Sequence, residues 1–174
     1  MTPESHSTEP KASQASPTTP SSQPDTSDRE ILIIRVFDAP RELVFQAWTN
    51  PEHVAQWWGP NGFTNTIHEM DVRPGGVWRL TMHGPDGVDY PNKIVFIEVV
   101  KPERLVYTHG GDEGDESEPF HVTVTFDEHG GKTTLALRSL FASAAERDKV
   151  VEEYGAVEGG NQTLARFAEF LTKV

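Results

Sequence analysis

Apolar and polar positions divide the chain into a polar stretch of 29 residues and a patterned region that runs to residue 174. Ile31, Leu32, Ile33, Ile34, Val36 and Phe37 are mostly β-branched or aromatic, which predicts a strand over 30–37. Asp38-Ala39-Pro40 ends it, and Pro40 suits the first turn of a helix, where a missing N–H costs nothing. Leu43, Val44, Ala47 and Trp48 then recur at helical spacing. Asn50-Pro51 breaks that helix and starts a second, with Asn50 as N-cap and Val54, Trp57 and Trp58 as its apolar side. Gly59-Pro60-Asn61-Gly62 closes it.

Strand-like runs follow at 63–70, 77–83, 90–100, 105–109, 120–126 and 133–140, separated by turn sequences such as Gly84-Pro85-Asp86-Gly87. The last segment is helical. Ser143 is placed as N-cap with Glu146 three residues on, a capping box. Val150, Val151, Tyr154, Val157, Leu164, Phe167, Ala168 and Leu171 form one stripe at helical period. Gly159-Gly160 lies inside this stripe. Each mid-helix Gly costs up to ~1 kcal/mol relative to Ala, so the pair implies a bend or a close backbone approach. Strands joined by tight turns pair antiparallel, and only the final helix is large enough to cover one face. The expected fold is α+β: about seven antiparallel strands around a long C-terminal helix, with two short helices after strand 1.

Alternation assigns faces. Phe120, Val122, Val124 and Phe126 share one side of their strand, opposite His121, Thr123 and Thr125. Matching apolar positions sets Val124 beside Leu135 and Val122 beside Leu137. It also sets Leu105 and Tyr107 beside Val124 and Val122, which carries His109 to the inner face near Phe120. Trp78, Leu80 and Met82 share a face, as do Tyr90, Asn92, Ile94, Phe96 and Glu98.

Composition changes this picture only at the margins. Hydrophobic residues make up 36% of the chain, and the deficit lies in 1–29, where Met1 is the one apolar residue larger than Ala. A Pro/Ser/Thr-rich tail of this kind cannot offset its ordering entropy, so 1–29 is expected to be disordered and 30–174 to form the domain. The net charge of −12 disfavours nucleic acid and anionic membrane surfaces. No run approaches the ~20 apolar residues that span a bilayer, and no secretory signal begins the chain; a cytoplasmic location is expected. With no cysteine, thiol chemistry and disulfides are excluded. No metal-ligand spacing occurs, so neither a metal nor another cofactor is expected. The acidic run from Asp112 to Glu118 reads either as a cation or partner site or as a solvated hairpin loop.

The stretch from Ala39 to Glu52, followed by Trp57-Trp58-Gly59-Pro60, resembles the opening of the START/Bet v 1-like (SRPBCC) superfamily. More narrowly, it resembles the branch of activator of heat shock protein 90 ATPase homologues. The segments Asp71 to Trp78, Glu98 to Thr108 and Gly160 to Phe167 resemble that branch as well. The resemblance implies a helix-grip fold: a curved sheet around the C-terminal helix, with a deep cavity between them. It does not imply one activity, because the superfamily contains lipid carriers, hormone receptors, aromatase/cyclases and chaperone stimulators.

Three functions compete on this basis. The first is binding of a small hydrophobic or amphipathic molecule, as a carrier, sequestering protein or sensor. The second is an enzyme of polyketide cyclase or hydrolase type, drawing on polar cavity residues; no nucleophile–base motif is present to name a catalytic residue. The third is a co-chaperone. The activators that name the branch carry a further N-terminal domain where a disordered tail is expected here, so no stimulation of a heat-shock ATPase is expected.

The candidate cavity residues are Trp57, Trp58, Trp78, Tyr90, Phe96, Glu98, Tyr107, His109, Phe120, Tyr154 and Asn161. Trp57 and Trp58, ~100° apart on a helix, read either as one core and one mouth residue or as ordinary packing. His109 reads as a polar anchor, an acid/base group or a rim histidine. Glu98, if buried, needs a partner such as Arg79 or Arg73; otherwise it sits exposed at the sheet edge. The oligomeric state is left open between monomer and homodimer.

Overall fold

The computed structural model describes residues 25–112, 114, 115 and 118–174. The expected tail lies outside these as far as residue 24, and so do residues 113, 116 and 117 of the acidic run. Before the first strand, Ser27–Arg29 forms a 3-10 turn anchored to Phe141. The Phe141 N–H donates to the Arg29 carbonyl at 2.9 Å, and Arg29 Nη1 donates to the Phe141 carbonyl at 2.8 Å.

The elements are β1 (Glu30–Phe37), α1 (Arg41–Thr49), α2 (Pro51–Trp57), β2 (Thr64–Met70), β3 (Val77–His83), β4 (Asp89–Val100), β5 (Arg104–Gly111), β6 (Phe120–His129), β7 (Lys132–Leu140), α3 (Ala144–Tyr154) and α4 (Ala156–Leu171). All seven strands form one curved antiparallel sheet in the order β1-β7-β6-β5-β4-β3-β2, the helix-grip arrangement. The helix starts follow local chemistry. The Asn50 side chain accepts from the Glu52 N–H, and the Ser143 side chain accepts from the Glu146 N–H.

One register and one face assignment differ from those the sequence predicts. β6 and β7 pair Val124 with Leu137 and Phe126 with Leu135, two residues away from the expected match. The reason is the hairpin. His129 pairs with Lys132, so Gly130-Gly131 is a two-residue loop, and both glycines have positive φ. A shift of two preserves the faces, so the apolar set still points inward. The second difference is a bulge in β4. Phe96 pairs with Tyr107, but Glu98 pairs with Val106, which transfers Glu98 to the outer face. There it is bound to Arg104 at 2.6 Å rather than to Arg79 or Arg73. Those two arginines pair with Asp112 and Asp71 respectively, each at 2.7 Å.

The C-terminal helix is also not continuous. Gly155, in the left-handed region at φ +60, ends α3 and starts α4. The spacing of the predicted stripe continues across this break in the sequence, which is why periodicity alone reads one helix. Beside the break, however, Tyr154 is 72% and Val157 37% exposed, so the stripe is not one inward face. α3 buries no residue, whereas α4 buries Leu164, Phe167 and Phe170. Gly159 and Gly160 lie within α4. A Cβ on Gly160 would sit 2.6 Å from Ile33 Cδ1, so Gly160 serves a close approach to β1, whereas a Cβ on Gly159 would meet Pro60 at an ordinary 3.4 Å.

The core is aromatic. Trp48, Trp57, Trp78, Phe126 and Phe167 are almost wholly buried, and Trp57 and Phe167 lie 4.3 Å apart between ring centroids. Trp58 joins them because α2 ends at Trp57. Trp58 itself has extended backbone (φ −64, ψ 136), so the two neighbours need not diverge as they would on a helix.

Candidate functional site

The aromatic core fills one end of the space between sheet and helices. Toward the other end the packing stops, leaving a cavity of about 400 Å³. Its floor is the inner face of β1, β5, β6 and β7, and its roof is the α3–α4 junction. Register explains the floor: Tyr107, Val122 and Ser139 stand in one row across β5, β6 and β7, with His109 and Phe120 paired beside them. Side chains shrink along that row from Tyr to Val to Ser, and the glycines of α4 add no bulk above it. Among the described residues, none that lines the cavity is charged.

His109 is the most informative polar group. The Asn92 amide Nδ2 donates to the Tyr90 carbonyl at 2.9 Å, which orients the amide and turns Oδ1 toward His109 Nε2 at 2.8 Å. Oδ1 can only accept, so Nε2 carries the hydrogen and Nδ1 is the bare nitrogen of the neutral ring. The ring stacks on Phe120 at 5.0 Å and lies 6.3 Å from Trp58. One side faces the cavity and is accessible to a water-sized sphere; protein encloses the rest, and this burial pushes the pKa down to about 4. Burial likewise pushes the Tyr107 phenol well above its ordinary range, opposed slightly by the nearby Trp48 indole. That indole N–H approaches the phenol without completing a hydrogen bond of normal geometry. Both ring systems are therefore neutral at physiological pH.

The rim is built by Trp58, Gly59 and Pro60 on one side and Tyr154 on the other. Arg166 of α4 fixes the first side. Its Nη1 donates to the carbonyls of Trp58, Gly59 and Pro60 at 3.2, 2.8 and 2.9 Å, and Nη2 donates to that of Phe63 at 3.0 Å. Desolvation lowers its pKa, and Glu169 opposes the change. Gln162 adds a further tie by accepting from the Asn61 N–H at 3.0 Å.

Of the eleven candidate residues, Trp58, Tyr107, His109, Phe120 and Tyr154 line the cavity. Trp57, Trp78 and Phe96 are buried in the solid aromatic core instead. Tyr90 is 42% exposed and packs against Phe63. Glu98 stands on the outer face for the reason given above. Asn161 is exposed and donates to the Val157 carbonyl one turn back. The candidate set omits Ile33, Leu137, Ser139 and Gly160 of the wall, and Arg166 behind the rim. A small polar residue such as Ser139 in an otherwise apolar inner row, facing glycines in a helix, is the pattern that marks unfilled volume. No cluster of metal-ligating side chains occurs among the described residues. No described helix is long and apolar enough to cross a membrane.

Over residues 38–172 the sequence matches the family described as activator of Hsp90 ATPase homolog 1-like protein. The chain belongs to this family. Its fold is that of the START/Bet v 1-like superfamily. A crystal structure of protein Ms6760 from Mycobacterium smegmatis is similar at 27% identity and TM-score 0.77, covering 86% of this chain and 94% of that one. A solution structure of an Arthrobacter aurescens protein is similar at 25% identity and TM-score 0.78, covering 87% and 91%. The AHSA1 protein of Silicibacter pomeroyi shares the fold at 21% identity and TM-score 0.68, covering 82% and 97%. No curated protein matches the sequence. Membership of this family agrees with a ligand-binding or cyclase-like role in broad terms, and it specifies no ligand.

Proposed function

We propose that the protein binds a small apolar or amphipathic molecule between its sheet and its C-terminal helices, as a carrier or sensor in the cytoplasm. The observation that supports this most directly is the 400 Å³ of unfilled, uncharged space beside a core that is otherwise tightly packed. Protein interiors rarely leave such volume empty, and an apolar guest placed there gains roughly 25 cal/mol per Å² of apolar surface removed from water. The enzyme reading draws less support. Of its two best polar groups, His109 faces the cavity and Glu98 faces away, so no acid–base pair converges. The family description raises a chaperone partner, and an ATPase stimulation assay with purified chaperone tests that separately.

The test of binding is a titration with N-phenyl-1-naphthylamine, an uncharged fluorescent probe. Saturable one-to-one binding with quenching of Trp emission is expected, and Leu137→Trp, which fills the cavity, abolishes it. Absence of saturable binding, or binding unchanged by Leu137→Trp in a folded protein, overturns the proposal.

A further inference from the structure

The wall of the cavity restricts what its guest can be. His109 Nδ1 has no hydrogen-bond partner among the described residues, and it is not sealed from the cavity. The chain Tyr90 carbonyl–Asn92 amide–His109 Nε2 leaves that nitrogen as an acceptor with its lone pair available. Aromatic rings flank it: Phe120 stacked on one side, Trp58 beyond, and Tyr107 on the same strand. Among the described residues, the lining offers no Lys or Arg to neutralise a carboxylate or phosphate, and the nearby Arg166 is already committed to four carbonyls.

From this geometry, and resting on the binding role proposed above, we infer that the guest is an uncharged aromatic molecule whose hydroxyl donates a hydrogen bond to His109 Nδ1, oriented for that task by Asn92. Flat rings match the aromatic walls, where offset and edge-on packing adds to simple burial. A guest hydroxyl satisfies this bare ring nitrogen, whereas an ether or hydrocarbon of the same shape leaves it unmet. An anion is excluded twice. It finds no countercharge in the wall, and it brings a second acceptor against Nδ1. Asn92 acts here as a positioning residue, since it sets the tautomer without touching the guest. The low affinity of His109 for protons agrees with this, because a protonated ring has no lone pair to offer.

Three naphthalenes of near-equal shape separate the cases: 2-naphthol, 2-methoxynaphthalene and 2-naphthoate, each titrated into the full chain by calorimetry at neutral pH. The expected order is naphthol tightest, methoxynaphthalene about tenfold weaker for the unmet hydrogen bond, and naphthoate weakest. His109→Phe levels naphthol with methoxynaphthalene while leaving the latter bound, which a merely structural role would not produce. Asn92→Asp converts His109 to an imidazolium that donates from Nδ1, and the naphthoate then gains on the naphthol. Nitrogen-15 NMR of the unaltered protein reads the tautomer without any variant, and an unprotonated Nδ1 is expected. Equal binding of naphthol and its methyl ether, tightest binding of naphthoate, or a protonated Nδ1 overturns the inference. If N-phenyl-1-naphthylamine binds but the naphthol preference is missing, the hydroxyl inference alone fails. If neither that probe nor any naphthalene binds, the cavity reading fails and takes this one with it.

Discussion

Replacing Gly160 by alanine sets two effects of known sign against each other. In the interior of α4, alanine gains up to ~1 kcal/mol over glycine in helix propensity. Against this, the new methyl carbon would sit 2.6 Å from Ile33 Cδ1, about 1 Å inside a normal carbon–carbon contact. In a solid core such overpacking costs ~1–3 kcal/mol and would win. Ile33 lines the cavity, however, so its terminal carbon has free volume into which it can rotate. Gly160→Ala is therefore expected to change unfolding free energy by less than about 1 kcal/mol while lowering affinity for a cavity probe. Urea denaturation followed by Trp emission supplies the first quantity and probe titration the second. Ile33→Val removes the clashing carbon, and alone it costs ~0.5–1.5 kcal/mol. The double variant should then be more stable than the sum of the two single changes, because the contact couples them. A loss of 2 kcal/mol or more in Gly160→Ala, with probe affinity unchanged, would refute the claim that open space lies beneath this part of α4.

Other changes test other parts of the structure. Arg166→Met strips four carbonyls of the 58–63 loop of their shared donor and should cost ~2–4 kcal/mol, less than four separate bonds because three meet at one nitrogen; urea unfolding measures it. Thr133 is fully buried and its hydroxyl donates to the Ala39 carbonyl at 2.7 Å, so Thr133→Val should cost ~1–2 kcal/mol in the same assay by orphaning that oxygen. His109 has a folded pKa near 4 against 6.5 for the free group, so the unfolded chain binds the extra proton between those values. Its contribution is complete above pH 6.5 and is lost as pH falls toward 4, on the order of 3 kcal/mol in all; His109→Phe should flatten the stability profile across that window. Gly155→Ala meets nothing within 4 Å but must hold φ +60, so it isolates a backbone cost of about 1 kcal/mol, readable as a drop in thermal midpoint.

Much of this protein is written locally, and the rest is not. The strand at Glu30–Phe37, the paired short helices with Pro40 and Asn50 at their starts, and the inward set Phe120, Val122, Val124 and Phe126 all follow from side-chain period and capping chemistry. The placement of His109 beside Phe120 follows as well, because apolar matching fixed the β5–β6 register. Other outcomes depended on contacts between distant parts of the chain. A bulge after Phe96 moved Glu98 to the outer face, and a left-handed Gly155 split the last helix and left Tyr154 and Val157 of its stripe exposed. Neither leaves a mark in periodicity, because each alters one residue's geometry and not the run of apolar positions. The cavity is the deepest case. The same aromatic residues are solid core at Trp57, Trp78 and Phe96 but a wall at Trp58 and Tyr107. Which they become is decided by how much volume the facing strands and α4 leave unfilled, a sum over neighbours that no single segment contains.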